Sequence, residues 1–161
     1  MLDDESSSQS LDSIVCIAPG CWVGTAAAAA NIKLLHELGI GEVLRVMDYK
    51  APKPLRRAYK QSNIHYEFFR LHDHGSDVKR AEKVWRMTHA HLKRPRKTST
   101  LLHCAEGASR SISCMVYHLM IARHMPPERV LHDMIRPKRK CAAPNHAFTA
   151  RLSALYTQIS G

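Results

Sequence analysis

The sequence predicts an α/β fold, with a central, mostly parallel sheet of about five strands flanked by helices on both faces. Three observations carry that expectation. Apolar runs of strand length recur at residues 14–18, 21–23, 43–46, 64–71 and 99–103. Segments with apolar residues at helical spacing stand between and after them. Strands that alternate with helices pack as a layered sheet whose strands run largely parallel.

The 161 residues suit one domain. A chain of this size buries roughly 70% of its unfolded surface, which holds a fold without disulfides or metals. Residues 1–12 are acidic and serine-rich and read as a disordered tail. The folded domain is then 13–160. Pro19 and Gly20 break the first two apolar runs as a tight turn. Thr25 caps a helix through about Leu38, where Gly39 ends it, with Ile32, Leu34, Leu35 and Leu38 on one face. Residues 50–60 read as a basic, proline-containing connection. Ser76 caps a helix to about Leu92, in which Val84, Trp85, Met87 and Thr88 fall at helical spacing. Residues 93–97 form a basic loop. Residues 109–124 make a long apolar helix and 126–135 a shorter one. A last helix over 147–159 carries Phe148, Leu152, Leu155, Tyr156 and Ile159 on one side.

The formal net charge is +10. It favours anionic partners, whether phosphorylated or acidic proteins, nucleic acid or an anionic membrane face, and does not choose among them. A solvated basic surface is the plain alternative. The five cysteines include no C-x-x-C pair, and the first ten residues are not apolar. A reducing compartment is expected, cytoplasmic with the nucleus open. The longest apolar stretches are too short or too polar to span a bilayer.

The chemistry concentrates in His103-Cys104-Ala105-Glu106-Gly107-Ala108-Ser109-Arg110-Ser111. A strand ends at Cys104, a loop of small residues follows, and a helix opens near Ser109. That layout turns backbone N–H groups inward at a positive helix end and makes an anion site from Ala105 through Arg110. Gly107 permits a tight loop that a side chain would resist. The planar fork of Arg110 can take two phosphate oxygens at once. A thiol in the same field loses its proton readily, and a thiolate inside a phosphate cradle is a nucleophile aimed at phosphorus. The bland alternative is a structural cysteine followed by an incidental arginine. Five matching residue types at a strand-to-helix junction weigh against it.

This stretch resembles the His-Cys-(five residues)-Arg-Ser/Thr signature of cysteine-based protein tyrosine phosphatases. The form Gly107-Ala108-Ser109-Arg110-Ser111 is similar to the dual-specificity branch, in its small atypical type. The likeness extends to Trp22-Val23-Gly24-Thr25, Asn31, Leu38-Gly39-Ile40, Tyr117-His118-Leu119-Met120 and Pro144-Asn145-His146-Ala147-Phe148. It implies a catalytic domain over 13–160 and a reaction without metal or cofactor. Cys104 would form a phosphocysteine, and Arg110 would bind phosphate and the transition state. Ser111 would help the thiolate leave, and His103 would order the loop and tune the cysteine. Glu106 would hold Arg110, with a solvated loop glutamate as the alternative.

Expelling an alkoxide or phenoxide calls for an acid. The family's acid follows a strand some thirty residues before the cysteine, and Asp73 stands in the matching place. Asp77 is the fallback, though it better suits the start of the next helix. His72-Asp73-His74 invites a metal reading, but without a second cluster the signal is weak. Arg139 or Lys140 lies where some relatives read a second substrate phosphate; a solvated basic turn is the alternative. Arg45 replaces a common Asn, Arg151 a frequent Gln, and Ile112-Ser113 an unlike pair. The lack of lysine in the loop argues against an inositol lipid, and Ser109 and Ser111 argue against an RNA 5′ end.

The expected function is hydrolysis of phosphotyrosine and of phosphoserine or phosphothreonine. The chain is too short for the loops that deepen a tyrosine-specific pocket. The partners would be phosphorylated proteins, a kinase among them. A phosphatase of a non-protein phosphate and a catalytically weak phospho-binding scaffold are the alternatives.

Overall fold

The computed structural model describes residues 13–95 and 97–161; the tail read at 1–12 lies outside the described residues. Five strands form one sheet: β1 (Ile14–Ala18), β2 (Cys21–Gly24), β3 (Ile40–Met47), β4 (His65–Arg70) and β5 (Ser99–His103). Their order is β1-β2-β5-β3-β4. β1 pairs antiparallel with β2, and every other pairing is parallel. The α/β expectation holds, as a mixed five-stranded sheet with helices on both faces.

On one face lie α1 (Ala26–Ala29), α2 (Ile32–Glu37) and α3 (Lys53–Gln61). They enclose a core of Ala29, Leu35, Val43, Tyr59 and Leu101. On the other lie α4 (Val78–Leu92), α5 (Arg110–Arg123), α6 (Pro127–Arg129) and α7 (His146–Ser160). There Trp85, Ile112, Met115, Phe148 and Leu152 form the larger core. Helix α5 is buried from Ser111 through Met120, as a helix packed on all sides must be. The Trp85 indole N–H donates to Ser113 Oγ at 2.8 Å and joins α4 to α5.

Four local expectations are corrected. The single helix from Thr25 is two, because Asn31 supplies a second N-cap: its Oδ1 accepts from Leu34 N while Thr25 accepts from Ala28 N. Residues 50–60 are not a mere connection but contain α3, whose first turn tolerates proline because no helical partner is lost there. Ser76 does not cap α4. It lies in a 3₁₀ turn, Gly75–Asp77, capped by His74, and the helix begins at Val78. The segment 126–135 is short α6 continued by a π-helical turn over Val130–Ile135.

Two buried imidazoles give the fold a pH dependence. Burial pushes His103 down to about 4. Burial, then the facing His89 and Arg123, push His118 down to about 4 as well. His89 Nδ1 lies 2.9 Å from His118 Nδ1, and burial and Lys93 lower its pKa too. An unfolded histidine takes its proton near 6.5, so the unfolded state binds more protons than the folded one between pH 6.5 and 4. The stability these rings confer is therefore complete above pH 6.5 and is lost as pH falls toward 4. The unfolding free energy should drop over that window, by on the order of 3 kcal/mol for fully buried His103 and by less for His118. His118→Gln should flatten the decline, and an unchanged slope would refute it.

The parallel strands β3, β4 and β5 end together on one side of the sheet. Ligand sites of α/β sheets form outside such carboxyl ends, and Asp48, Asp73 and Cys104 each follow one of these strands within three residues.

Candidate active site

The loop after β5 is shaped by what its carbonyls bind. Ala105 O accepts from Ala26 N at 3.0 Å, and Ala108 O accepts from Ala143 N at 2.7 Å. Arg139 Nη2 donates to Glu106 O at 3.0 Å, and its Nε donates to Gly107 O at 2.6 Å. Four successive carbonyls thus point away from the loop's centre. In a trans peptide the N–H points opposite to the C=O, so the N–H groups of Glu106, Gly107, Ala108 and Ser109 face inward. Gly107 makes this turn at φ +64°, and a Cβ there would meet Arg139 Nη2 at 2.6 Å and Gly24 O at 2.7 Å. No other residue type fits.

Cys104 lies at the base of this ring, 2% exposed, with its Sγ 3.2 Å from Ser111 Oγ. Burial pushes the thiol up. The Ser111 hydroxyl and the backbone N–H groups of Ser111, Gly107 and Ala108 more than offset that, so the thiol sits below its ordinary value. His103 is fully buried behind it, with Nδ1 3.0 Å from Cys104 O. A carbonyl only accepts, so Nδ1 carries the proton and the unpartnered Nε2 is the bare nitrogen.

Arg110 opens α5, and its guanidinium is mostly buried. Nη1 donates to Asp48 Oδ1 at 2.5 Å and to Leu71 O at 3.3 Å. These partners hold one corner of the fork. The Nε and Nη2 edge, the one that grips two oxygens side by side, has no partner among the described residues. Sequence reading set Glu106 as the carboxylate on Arg110, with a solvated loop glutamate as the alternative. The structure agrees with the second reading: Glu106 is exposed, and Asp48 holds the guanidinium instead. An acid directly beyond a parallel strand's carboxyl end was the available signal.

Asp73 Oδ1 accepts from Ser109 Oγ at 2.6 Å and from Asn145 Nδ2 at 2.9 Å. Asn145 also donates its backbone N–H to Ser109 Oγ at 3.0 Å and caps α7 by accepting from Phe148 N at 2.9 Å. One asparagine therefore joins the acid, the signature loop and the last helix. The sequence marked Pro144-Asn145 without a role; an Asn one residue before a helix is the cap signal. Asp77 works on the same loop from behind, accepting from His72 N at 2.8 Å.

Arg139 is 6% exposed and clamps the loop, so the second-phosphate reading of Arg139 is corrected. Lys140 is exposed on the turn beside it. Of the unusual positions, Arg45 is buried and donates from Nε to Tyr49 O at 2.9 Å, and Arg151 pairs with Glu82 at 2.8 Å.

A ring of inward amides around an ionisable sulfur, at the start of a helix, is a cradle for an anion such as a phosphate group. Residues 21–158 match the family model described as the dual specificity phosphatase catalytic domain. The chain belongs to that family. It is 27% identical to human dual specificity protein phosphatase 9 over 138 residues, 86% of this chain and 35% of that protein. It is likewise 27% identical to human dual specificity protein phosphatase 22 over 136 residues, 84% of this chain and 70% of that one. The chain thus spans about a third of the first relative's length. The crystal structure of human DUSP28 shares the fold, with a TM-score of 0.74 at 20% identity, over 92% of this chain and 96% of that one.

Proposed function

We propose that the protein hydrolyses phosphotyrosine, and phosphoserine or phosphothreonine, in proteins through a phosphocysteine on Cys104. The observation that supports this most is the ring of inward amides around a thiol of lowered pKa, with the Nε–Nη2 edge of Arg110 left without a partner among the described residues. In the first step the Cys104 thiolate attacks phosphorus, the bond from phosphorus to the ester oxygen breaks, and Asp73 gives that oxygen a proton. In the second step water attacks phosphorus, Asp73 takes its proton, and the sulfur–phosphorus bond breaks. Ser111 Oγ hydrogen-bonds the departing thiolate. The amides and Arg110 hold the equatorial oxygens throughout, where most of the stabilisation in phosphoryl transfer lies.

Rates on phosphopeptides, a phosphoinositide and a 5′-triphosphorylated RNA, measured side by side, test the substrate class. Phosphopeptides should be preferred, and acid quenching during turnover should trap phosphate on the enzyme. A clear preference for the lipid or the RNA would overturn the protein reading.

The acid assignment has its own test. Asp73→Asn should slow phosphopeptide cleavage by roughly a hundredfold or more, yet slow an aryl phosphate with an easily expelled leaving group far less. Asn145→Ala should show the same selective loss in milder form, because it frees Asp73 without removing it. Equal slowing on both substrates would count against Asp73 as the proton donor.

A further inference from the structure

Helix α3 carries a one-sided charge that the hydrolytic step does not use. From Tyr49 through Tyr66 the chain has no Asp or Glu, yet it holds Lys50, Lys53, Arg56, Arg57 and Lys60. Lys53, Arg57 and Lys60 are exposed and fall at i, i+4 and i+7, on one helix face. None of the three joins an ion pair among the described residues. Several cations elsewhere are paired: Arg80 with Asp77, Arg86 and Arg151 with Glu82, and Arg129 with Asp133. The opposite face of α3 is fixed inward by Tyr59, which is 1% exposed, hydrogen-bonds Ala29 O and stacks on Tyr66. The cationic face has no inward alternative.

Its position gives that face a use. The segment leaves the carboxyl end of β3, and Asp48, at its start, holds Arg110. Tyr49, 61% exposed, and then exposed Lys50 follow. The row from Lys53 to Lys60 extends about 10 Å along the helix, the length of about three residues of extended peptide. We propose that the exposed cationic face of α3 binds an acidic segment of the phosphorylated protein substrate, adjoining the residue whose phosphate enters the loop. The proposal rests on the protein-phosphatase reading. A peptide fits better than a lipid surface, because a few cations with Tyr49, among the described residues the one exposed large apolar side chain beside them, hold a membrane only weakly. Leu55 and Tyr59 are turned to the core instead.

The test compares two phosphotyrosine peptides of equal length, one flanked by three glutamates and one by three glutamines. At low salt the acidic peptide should have a kcat/KM on the order of tenfold higher, with the advantage shrinking as salt rises. The triple variant Lys53→Glu, Arg57→Glu, Lys60→Glu should reverse that preference while leaving turnover of the glutamine peptide and of a small aryl phosphate unchanged. The corresponding triple Gln variant, which avoids new charges, should abolish it. An acidic preference that survives both variants, or that is absent from the parent while the glutamine peptide is turned over, overturns the α3 proposal alone. Failure to turn over either peptide, with good turnover of a lipid or RNA phosphate, overturns the protein reading and the proposal with it. Variants that lose binding to phosphatidylserine vesicles or to RNA, but treat both peptides as the parent does, also overturn it.

Discussion

Cys104→Ser should abolish turnover and leave phosphate binding intact. The substitution changes one atom at the base of the cradle. A serine hydroxyl does not ionise near neutral pH, and the groups that lower the thiol's pKa, Ser111 and the amides of Gly107, Ala108 and Ser111, act on far too high a starting value to change that. The neighbouring imidazole offers no base to a serine: His103 is buried, and its protonated nitrogen lies on the Cys104 carbonyl. Hydrolysis should fall on the order of a thousandfold or more. The inward amides and the free edge of Arg110 do not depend on the sulfur, so inorganic phosphate should still bind with parent-like affinity. Residual hydrolysis within tenfold of the parent would refute the nucleophile. A companion variant, Ser111→Ala, removes one of the groups that lower the thiol. The acid limb of its pH–rate profile should move to higher pH, and the second step should become slower than the first.

The signature loop was legible because its chemistry demands particular residues at fixed spacing. Cys104, Gly107, Arg110 and Ser111 have few substitutes at the junction of a strand and a helix. The place of Asp73 beyond β4 was legible as well, and the fold sets it against Ser109 of the loop. The partners that hold these groups were not. A long cation such as Arg139 gives no sign in sequence of which way it turns, and its neighbours Lys138 and Lys140 have the same composition but other fates. Lys138 reaches Ile17 O at 3.1 Å, and Lys140 is exposed. Asp48 and Asn145 act through contacts 62 and 72 residues away in the chain, to Arg110 and Asp73. Such contacts exist only once the strands have aligned. α3 was lost for a local reason: its basic, proline-containing sequence reads as a connection, whereas proline at the start of a helix is permitted. In each case the identity of a residue was readable, and its direction was decided by packing.

Arg139→Met is the test of that distinction, and it should lower kcat/KM about a hundredfold on every substrate. The guanidinium is buried between Glu106 O and Gly107 O. Methionine fills much of the same volume and donates nothing, leaving two carbonyls unsatisfied at about 1–3 kcal/mol each. The loop can relieve that cost by turning those peptides over, which carries the N–H groups of Gly107 and Ala108 out of the cradle. A hundredfold corresponds to about 2.7 kcal/mol of lost transition-state stabilisation, within the range of two weakened amide donors. The thiol would lose the same two donors, so its pKa should rise and the acid limb of the rate profile should shift with it. Arg139→Lys keeps the charge but not the two-pronged reach, and should recover only part of the rate. Lys140→Ala should change little. The competing role, reading a second phosphate, makes an opposite prediction: the loss would appear on a bisphosphorylated peptide and vanish on a small aryl phosphate. A clamp on the loop must cost the aryl phosphate as much as the peptide, and a variant that spares it would return Arg139 to substrate recognition.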